Sequence, residues 1–362
     1  MTEALVSATP RPGPLSPAAQ GYSMPAEWSA HRATWIAWPH QKSDWPGKFE
    51  TVPWVYAEIV RILSRHEQVC VLVPDATVRS KARAVLAKVG VNPKRVDFYR
   101  VPTDRSWTRD SGPTFVRHGD GRKLAIQWRF NGWAKYSNYR RDAKAAVEIA
   151  QALHLPVHRA VAVGKPVVME GGAIDVDGEG TLLATEECLL SSVQARNPGL
   201  DRTGIEEVFA ATLGIQRVVW LGGGIAGDDT HGHVDDVARF VATGRVLVCQ
   251  EKNPKDPNYT PLRENWERLQ SARDAAGRKL ETIPLPMPAP IVFGGQRMPA
   301  SYANFYIANG TVIVPTFNDP ADRAALGLLA ELFPEREVVG IHCVDFVLGL
   351  GTLHCATQQE PA

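Results

Sequence analysis

Short apolar runs, each opened by a glycine, recur along this chain. They are Gly121-Arg-Lys-Leu-Ala-Ile-Gln, Gly180-Thr-Leu-Leu-Ala-Thr, Gly244-Arg-Val-Leu-Val-Cys-Gln and Gly310-Thr-Val-Ile-Val-Pro. Each follows another strand-like run (PTFVRH, GAIDVD, DVARFV and NFYIA), which predicts four hairpins with a glycine in the turn. The turn glycines lie 59, 64 and 66 residues apart (180−121, 244−180 and 310−244). A helical pattern follows each hairpin, at 141–153, 202–213, 261–275 and 320–332, and then a further strand, such as VVWL at 218–221 or EVVGI at 337–341. A first unit begins at TWIAW (34–38), with a helix at 55–65 and the strand VCVLV at 69–73.

Five strand–strand–helix–strand units nearly exhaust the chain. Regular spacing at this period predicts an α/β ring of units around an axis, with no long linker. The alternative is one unrepeated doubly wound sheet, but no GxGxxG opens a helix after a first strand. With 362 residues the chain exceeds the roughly 250–300 at which a single core stops growing, so two domains or one repetitive architecture is expected. The repeat favours the second: a flexible Pro/Ala-rich segment at 1–21, then a single domain at 22–362.

Charge removes several partners from consideration. Forty basic residues against 39 acidic ones leave a net charge of +1, with no electrostatic footprint for nucleic acid or an acidic membrane. No apolar run approaches the ~20 residues of a membrane span, and the N-terminal stretch lacks the basic-then-apolar order of a signal peptide. The chain reads as cytoplasmic. Its five cysteines have no CxxC spacing, which argues against a disulfide framework and a thiolate zinc site. Cys70 and Cys249 sit in apolar runs and read as core. Cys355 does not: it lies in Gly349-Leu-Gly-Thr-Leu-His354-Cys355-Ala-Thr-Gln-Gln, seven residues from the end. By itself this segment fits a nucleophile and an ordinary free thiol equally.

The repeat gives the polar residues ahead of each hairpin a common place. Asp110 (in WTRDSGP), Glu170 (in MEGG), and His233 with Asp235 (in HGHVDD) stand 9 to 11 residues before their turn glycines. Equivalent positions in a ring of units lie at one end of its axis, so these side chains are expected to converge. Each also has a plainer reading. Asp110 suits a turn, Glu170 a solvated loop, Arg109 a structural ion pair, and His354 packing, since in an extended segment it would point away from Cys355. By the same alternation His231 shares a face with His233, and Asp236 takes the other. Three carboxylates, an imidazole and a thiol together match a guanidinium, a nucleophile for its sp² carbon, and a proton carrier for departing ammonia. That combination suits hydrolysis of a guanidine to a urea. A metallohydrolase using His231, His233 and Asp235 as ligands is the rival reading, and a catalytically silent binding protein is another.

Together these residues resemble the agmatine deiminase family, within the guanidino-group-modifying (pentein) superfamily. The likeness runs from Met24-Pro-Ala-Glu27-Trp28 through TWIAWP, SWTRDSGP, FNGW, EGG, TEECLL, GHVD and SYANFYIANG to LHCATQQ. The resemblance implies a five-bladed pseudo-symmetric α/β propeller of ββαβ units. It implies Cys355 as nucleophile, His233 as acid and base, Asp110 and Asp235 on the guanidinium, and Glu170 beside them. Attack by Cys355 would give a covalent thiouronium that water resolves to N-carbamoylputrescine, with no metal or other cofactor. The partner implied is a small cationic guanidino substrate; self-association into a homo-oligomer stays open. Trp107, next to Asp110, and His231 are the further candidates for touching the substrate. His231 stands where the agmatine deiminase pattern has a small polar or acidic residue, and FNGWAKYSNYRRD is more similar to bacterial peptidylarginine-type deiminases; both leave arginine or peptidylarginine as the alternative substrate. No arginine cluster marks a carboxylate site in the sequence.

Overall fold

The computed structural model describes residues 15–362; the first fourteen residues of the segment expected to be flexible lie outside it. Within it, the four turn glycines Gly121, Gly180, Gly244 and Gly310 all have φ between 68° and 94°, the left-handed region that a hairpin turn requires and that glycine adopts without a Cβ clash. Each turns a hairpin whose second strand then pairs in parallel with a later strand. Thr181–Thr185 is antiparallel to Asp175–Val176 and parallel to Arg217–Leu221. Arg245–Gln250 stands likewise between Ala238–Ala242 and Glu281–Pro286, and Thr311–Thr316 between Tyr306–Ala308 and Glu337–His342. A parallel pair needs a long crossover, and helices Arg202–Leu213, Tyr259–Ser271 and Pro320–Leu332 supply it.

Helix ends follow local chemistry. Asp201 caps Arg202–Leu213 through Gly204 N–H at 2.9 Å, and Gly214 ends it at φ 74°. Asp319 and Asp322 form a capping box around Pro320 at the start of Pro320–Leu332. Helix Val52–Leu63 buries Val52, Tyr56, Ala57, Ile59, Val60, Ile62 and Leu63, an apolar face worth roughly 1.5–3 kcal/mol for each large side chain removed from water. Of Trp28, Trp35, Trp38, Trp45 and Trp54, Trp35 and Trp45 are fully buried, whereas Trp54 is 45% exposed.

The remaining two principal sheets have four strands. In one, Thr114–His118 and Lys123–Gln127 form the hairpin, Tyr22–Ser23 lies along its outer edge, and Val157–Arg159 returns in parallel after helix Asp142–Ala152. The other differs from the unit expected at the N-terminus. Strands His31–Ala37, Gln68–Val73 and Val96–Arg100 run in parallel, the last two joined by helix Ala76–Lys88. The antiparallel partner of His31–Ala37 is the strand Thr357–Pro361. The residues after Cys355 therefore complete the first sheet rather than the fifth unit. The cause is plain: the first unit has no hairpin strand of its own, and His31–Ala37 would otherwise expose an unpaired edge. Among the described residues the result is a mixed α/β fold of five small principal sheets, none closed on itself, with two short hairpins at 161–166 and 292–297.

Candidate active site

Ahead of the first hairpin strand in four principal sheets, and ahead of Thr357–Pro361 in the fifth, the chain makes one short helical turn. These turns are Thr108–Ser111, Gly171–Ala173, Val234–Asp236, Tyr302–Asn304 and Leu353–Ala356. They carry or adjoin Asp110, Glu170, His233 with Asp235, Asn304 and Cys355, and all six of these side chains are buried.

Gly172 sits among three of them. A Cβ there would stand 2.5 Å from Nδ1 of His233, 3.0 Å from Oδ1 of Asp110 and 3.1 Å from Oδ2 of Asp235. Its N–H donates to Asp110 Oδ1 at 2.9 Å, and Trp133 Nε1–H donates to Asp110 Oδ2, also at 2.9 Å. Cys355 Sγ lies 3.2 Å from the Asn304 amide nitrogen and 3.8 Å from Asp235 Oδ2. The His233 ring stands between two carboxylates, Nδ1 3.9 Å from Asp110 and Nε2 3.7 Å from Glu170. Arg196 Nε lies 3.2 and 3.3 Å from the two Glu170 oxygens.

Electrostatics separate the roles. Burial pushes the Cys355 thiol well above its ordinary value, and the charges of Asp235, Asp236 and Asp110 push it further, which favours the neutral thiol. Burial opposes protonation of His233, yet Asp110, Cys188 and Glu170 raise it well above the usual imidazole range. Burial raises Asp110 as well, with Asp235 and Glu170 adding to it against the pull of His233. Asp235 goes the other way: burial opposes its ionisation, but the bond and charge of His354 lower it. Glu170, likewise buried, is lowered chiefly by Arg196.

A cavity leads to the thiol. Trp107, Asp110, Trp133, Tyr136, Arg105, Asp229, Thr230, Gly351 and Cys355 line it, and Arg105 and Tyr136 also line the adjoining cavity that includes Asp44 and Lys48. Aromatic walls suit an alkyl chain. Trp107, expected beside Asp110, lines the same cavity as Asp110 and Cys355.

Three other expectations need correction. His231 does not line the cavity; its Nε2 pairs with Ser191 Oγ at 3.2 Å, and Glu187 is its other neighbour. The alternation argument fails because the segment is not extended: His231 has φ 64° and Val234–Asp236 is a helical turn. For the same reason Asp236, assigned to the opposite face, is buried beside Asn304, whose Nδ2 donates to it at 3.0 Å. His354 is no packing residue. Helical rather than extended backbone brings it onto Asp235, Nδ1 to Oδ2 at 2.7 Å.

Sequence reasoning missed Asn304, Trp133 and Arg105. Asn304 stood in SYANFYIANG, directly before a hairpin strand like the others, but an amide carried no chemical flag. Its Oδ1 accepts from Thr352 Oγ1 at 2.7 Å and from His354 N–H at 3.0 Å, tying the cysteine turn in place. Arg109 forms the expected ion pair, with Glu27 at 3.2 Å.

Among the described residues, Glu170, Cys188 and His233 form the one group whose O, S and N atoms could meet a metal ion, all within 4.8 Å. Arg196 already covers both Glu170 oxygens, so an ion there would face a fixed positive charge. His231 and Asp235 take no part in that group.

The family model of the Porphyromonas-type peptidyl-arginine deiminases matches residues 23–361. An agmatine deiminase of Pseudomonas fluorescens (strain SBW25) is 37% identical, over 96% of this chain and 97% of that protein. One of Stutzerimonas stutzeri (strain A1501) is 36% identical, over 96% and 97%. The solved structure of an agmatine deiminase of Enterococcus faecalis superposes with a TM-score of 0.88 at 31% identity, covering 99% of each chain. Matched along nearly its whole length, this chain belongs to the Porphyromonas-type peptidyl-arginine deiminase family.

Proposed function

We infer that this protein hydrolyses agmatine to N-carbamoylputrescine and ammonia, with Cys355 as nucleophile. The observation that carries the reading is the Cys355 thiol 3.8 Å from the Asp235 carboxylate, in a cavity also lined by Asp110 and two tryptophans. Asp110 and Asp235 take the guanidinium, and the butyl chain lies along Trp107 and Trp133. The arriving cation offsets the carboxylate charges that hold the thiol neutral, so Cys355 ionises in the complex, its proton passing to a neighbouring carboxylate or to water. The thiolate adds to the guanidinium carbon. His233, held protonated between Asp110 and Glu170, gives its proton to the departing nitrogen; the C–N bond breaks and ammonia leaves. The neutral imidazole then deprotonates a water that attacks the same carbon, breaking the C–S bond and releasing the ureido product.

The five sheets fit blades of a pseudo-symmetric propeller within a single domain at 22–362, since each sheet delivers its short turn to one site. All five cysteines are unpaired, which suits a reducing cytoplasm. A second reading has one observation in its favour: Arg105 in the cavity wall could pair with a carboxylate at the far end of arginine or of a C-terminal arginyl peptide.

The test is ureido-product formation from agmatine, arginine and a C-terminal arginyl peptide, with Cys355→Ala as control. Agmatine should give the highest kcat/KM, and the variant none. Activity that persists in Cys355→Ala would sink the mechanism; a preference for the peptide would shift the substrate to the second reading.

A further inference from the structure

Asp235 is fully buried and its Oδ1 has no hydrogen-bond partner. An ionised carboxylate in that position needs a compensating charge close by. The groups facing it are His354, His233, Cys355, Asp110, Asp236 and Arg239. Three of the six are acids or an acidic thiol, so one of the basic groups must hold it. His354 does so by direct contact, at 2.7 Å.

His354 is itself held from behind. Its Nε2 lies 2.8 Å from Oε2 of Glu27, which also accepts from Arg109 Nη2 at 3.2 Å. The other oxygen of Glu27 accepts from Arg239 Nη2 and from the N–H of Ile307, both at 2.8 Å. With two guanidinium groups and a peptide N–H on it, Glu27 is a carboxylate with no proton to give. Nε2 of His354 must therefore be the donor in that bond. A neutral ring would leave Nδ1 as a bare lone pair 2.7 Å from the Asp235 oxygen, an arrangement that protonation of the ring removes.

We propose that Glu27 and His354 form a buried relay that keeps Asp235 ionised and fixes its Oδ2, leaving Oδ1 as the free acceptor for the substrate guanidinium. Both are positioning residues: neither lines the cavity. The assignment rests on the guanidine-binding reading of the site. It also gives a task to two residues that reading leaves idle, the Glu of the N-terminal Glu27-Trp28 pair and the His beside the nucleophile.

The experiment compares two isosteric electrophiles on Cys355, cationic 2-chloroacetamidine and neutral 2-chloroacetamide. His354→Asn can keep a neutral donor toward Asp235, and His354→Gln one toward Glu27, each without the positive charge. In the wild type the cation should label Cys355 faster than the neutral reagent. In either folded variant that preference should fall at least tenfold, while the neutral reagent reacts no more slowly, because a protonated Asp235 no longer attracts the cation or holds the thiol neutral. A merely structural role would slow both reagents together, and that result, or an unchanged preference, overturns the relay. Absence of any cationic preference in the wild type would instead overturn the guanidine-binding reading. Should both variants fail to fold, Glu27→Gln decides with the same two reagents, since it keeps an acceptor for Arg239 and Ile307 but removes the charge behind His354. A cationic preference that falls while the neutral reagent is not slowed supports the relay, and an unchanged preference or an equal slowing of both reagents overturns it.

Discussion

Glu170 stands with one oxygen 3.7 Å from Nε2 of His233, and Arg196 covers it from the other side. The pairing makes Glu170 a fixed negative charge against the imidazole, one of the causes that raise His233. Glu170→Gln retains an acceptor for Arg196 but removes that charge, so the folded-state pKa of His233 must fall. Where rate depends on protonated His233, activity is lost as pH rises through that pKa. The alkaline limb of the pH–rate profile is therefore expected to move to lower pH, by about one unit or more. An alkaline limb that stays in place would separate Glu170 from His233.

Space is as critical as charge at Gly172. Its backbone φ lies outside the left-handed region, so alanine meets no conformational penalty, only the atoms of His233, Asp110 and Asp235. Overpacking a buried site costs roughly 1–3 kcal/mol. Gly172→Ala should remain folded, with a modestly lowered melting temperature, and lose at least a hundredfold in kcat. Near-native turnover would mean that the three side chains can part without consequence.

Trp133 holds Asp110 through its indole N–H. Trp133→Phe keeps the wall of the cavity and deletes that donor. A hydrogen bond to a charged group contributes roughly 1.5–3 kcal/mol, so kcat/KM should drop about tenfold to a hundredfold. The inverse experiment uses Trp107, whose neighbours Trp45 and Phe346 are rings rather than carboxylates. Trp107→Phe should cost less than Trp133→Phe, and steady-state kinetics of the pair would expose a reversed order.

Asp142 ties the segment before the site to a helix. Its Oδ1 accepts from the N–H groups of Asp104 and Arg105 at 2.7 and 3.3 Å, and burial pushes its carboxyl up to about 7. A carboxyl raised on folding favours the folded state at low pH, and that contribution is lost as pH climbs from about 4 through 7. Asp142→Asn keeps an acceptor and removes the titration. Its stability in urea should fall less than that of the wild type between pH 5 and pH 8, by roughly 1 kcal/mol or more. Parallel pH dependence in the two proteins would contradict the shift.

The repeat was legible because hairpins and amphipathic helices are local. Turn glycines at 121, 180, 244 and 310 and the apolar runs that follow them state their structure within a few residues. Equivalent positions in the units then brought Asp110, Glu170, His233 and Asp235 to one place, and the residue types named the chemistry. Tertiary structure decided the rest, because those contacts join residues more than a hundred positions apart. Thr357–Pro361 had no partner until His31–Ala37 lay beside it, and His354 no task until a helical turn set it between Asp235 and Glu27. Neighbouring charges, brought together only by the whole fold, then set Asp235 and Glu170 low against the opposing effect of burial.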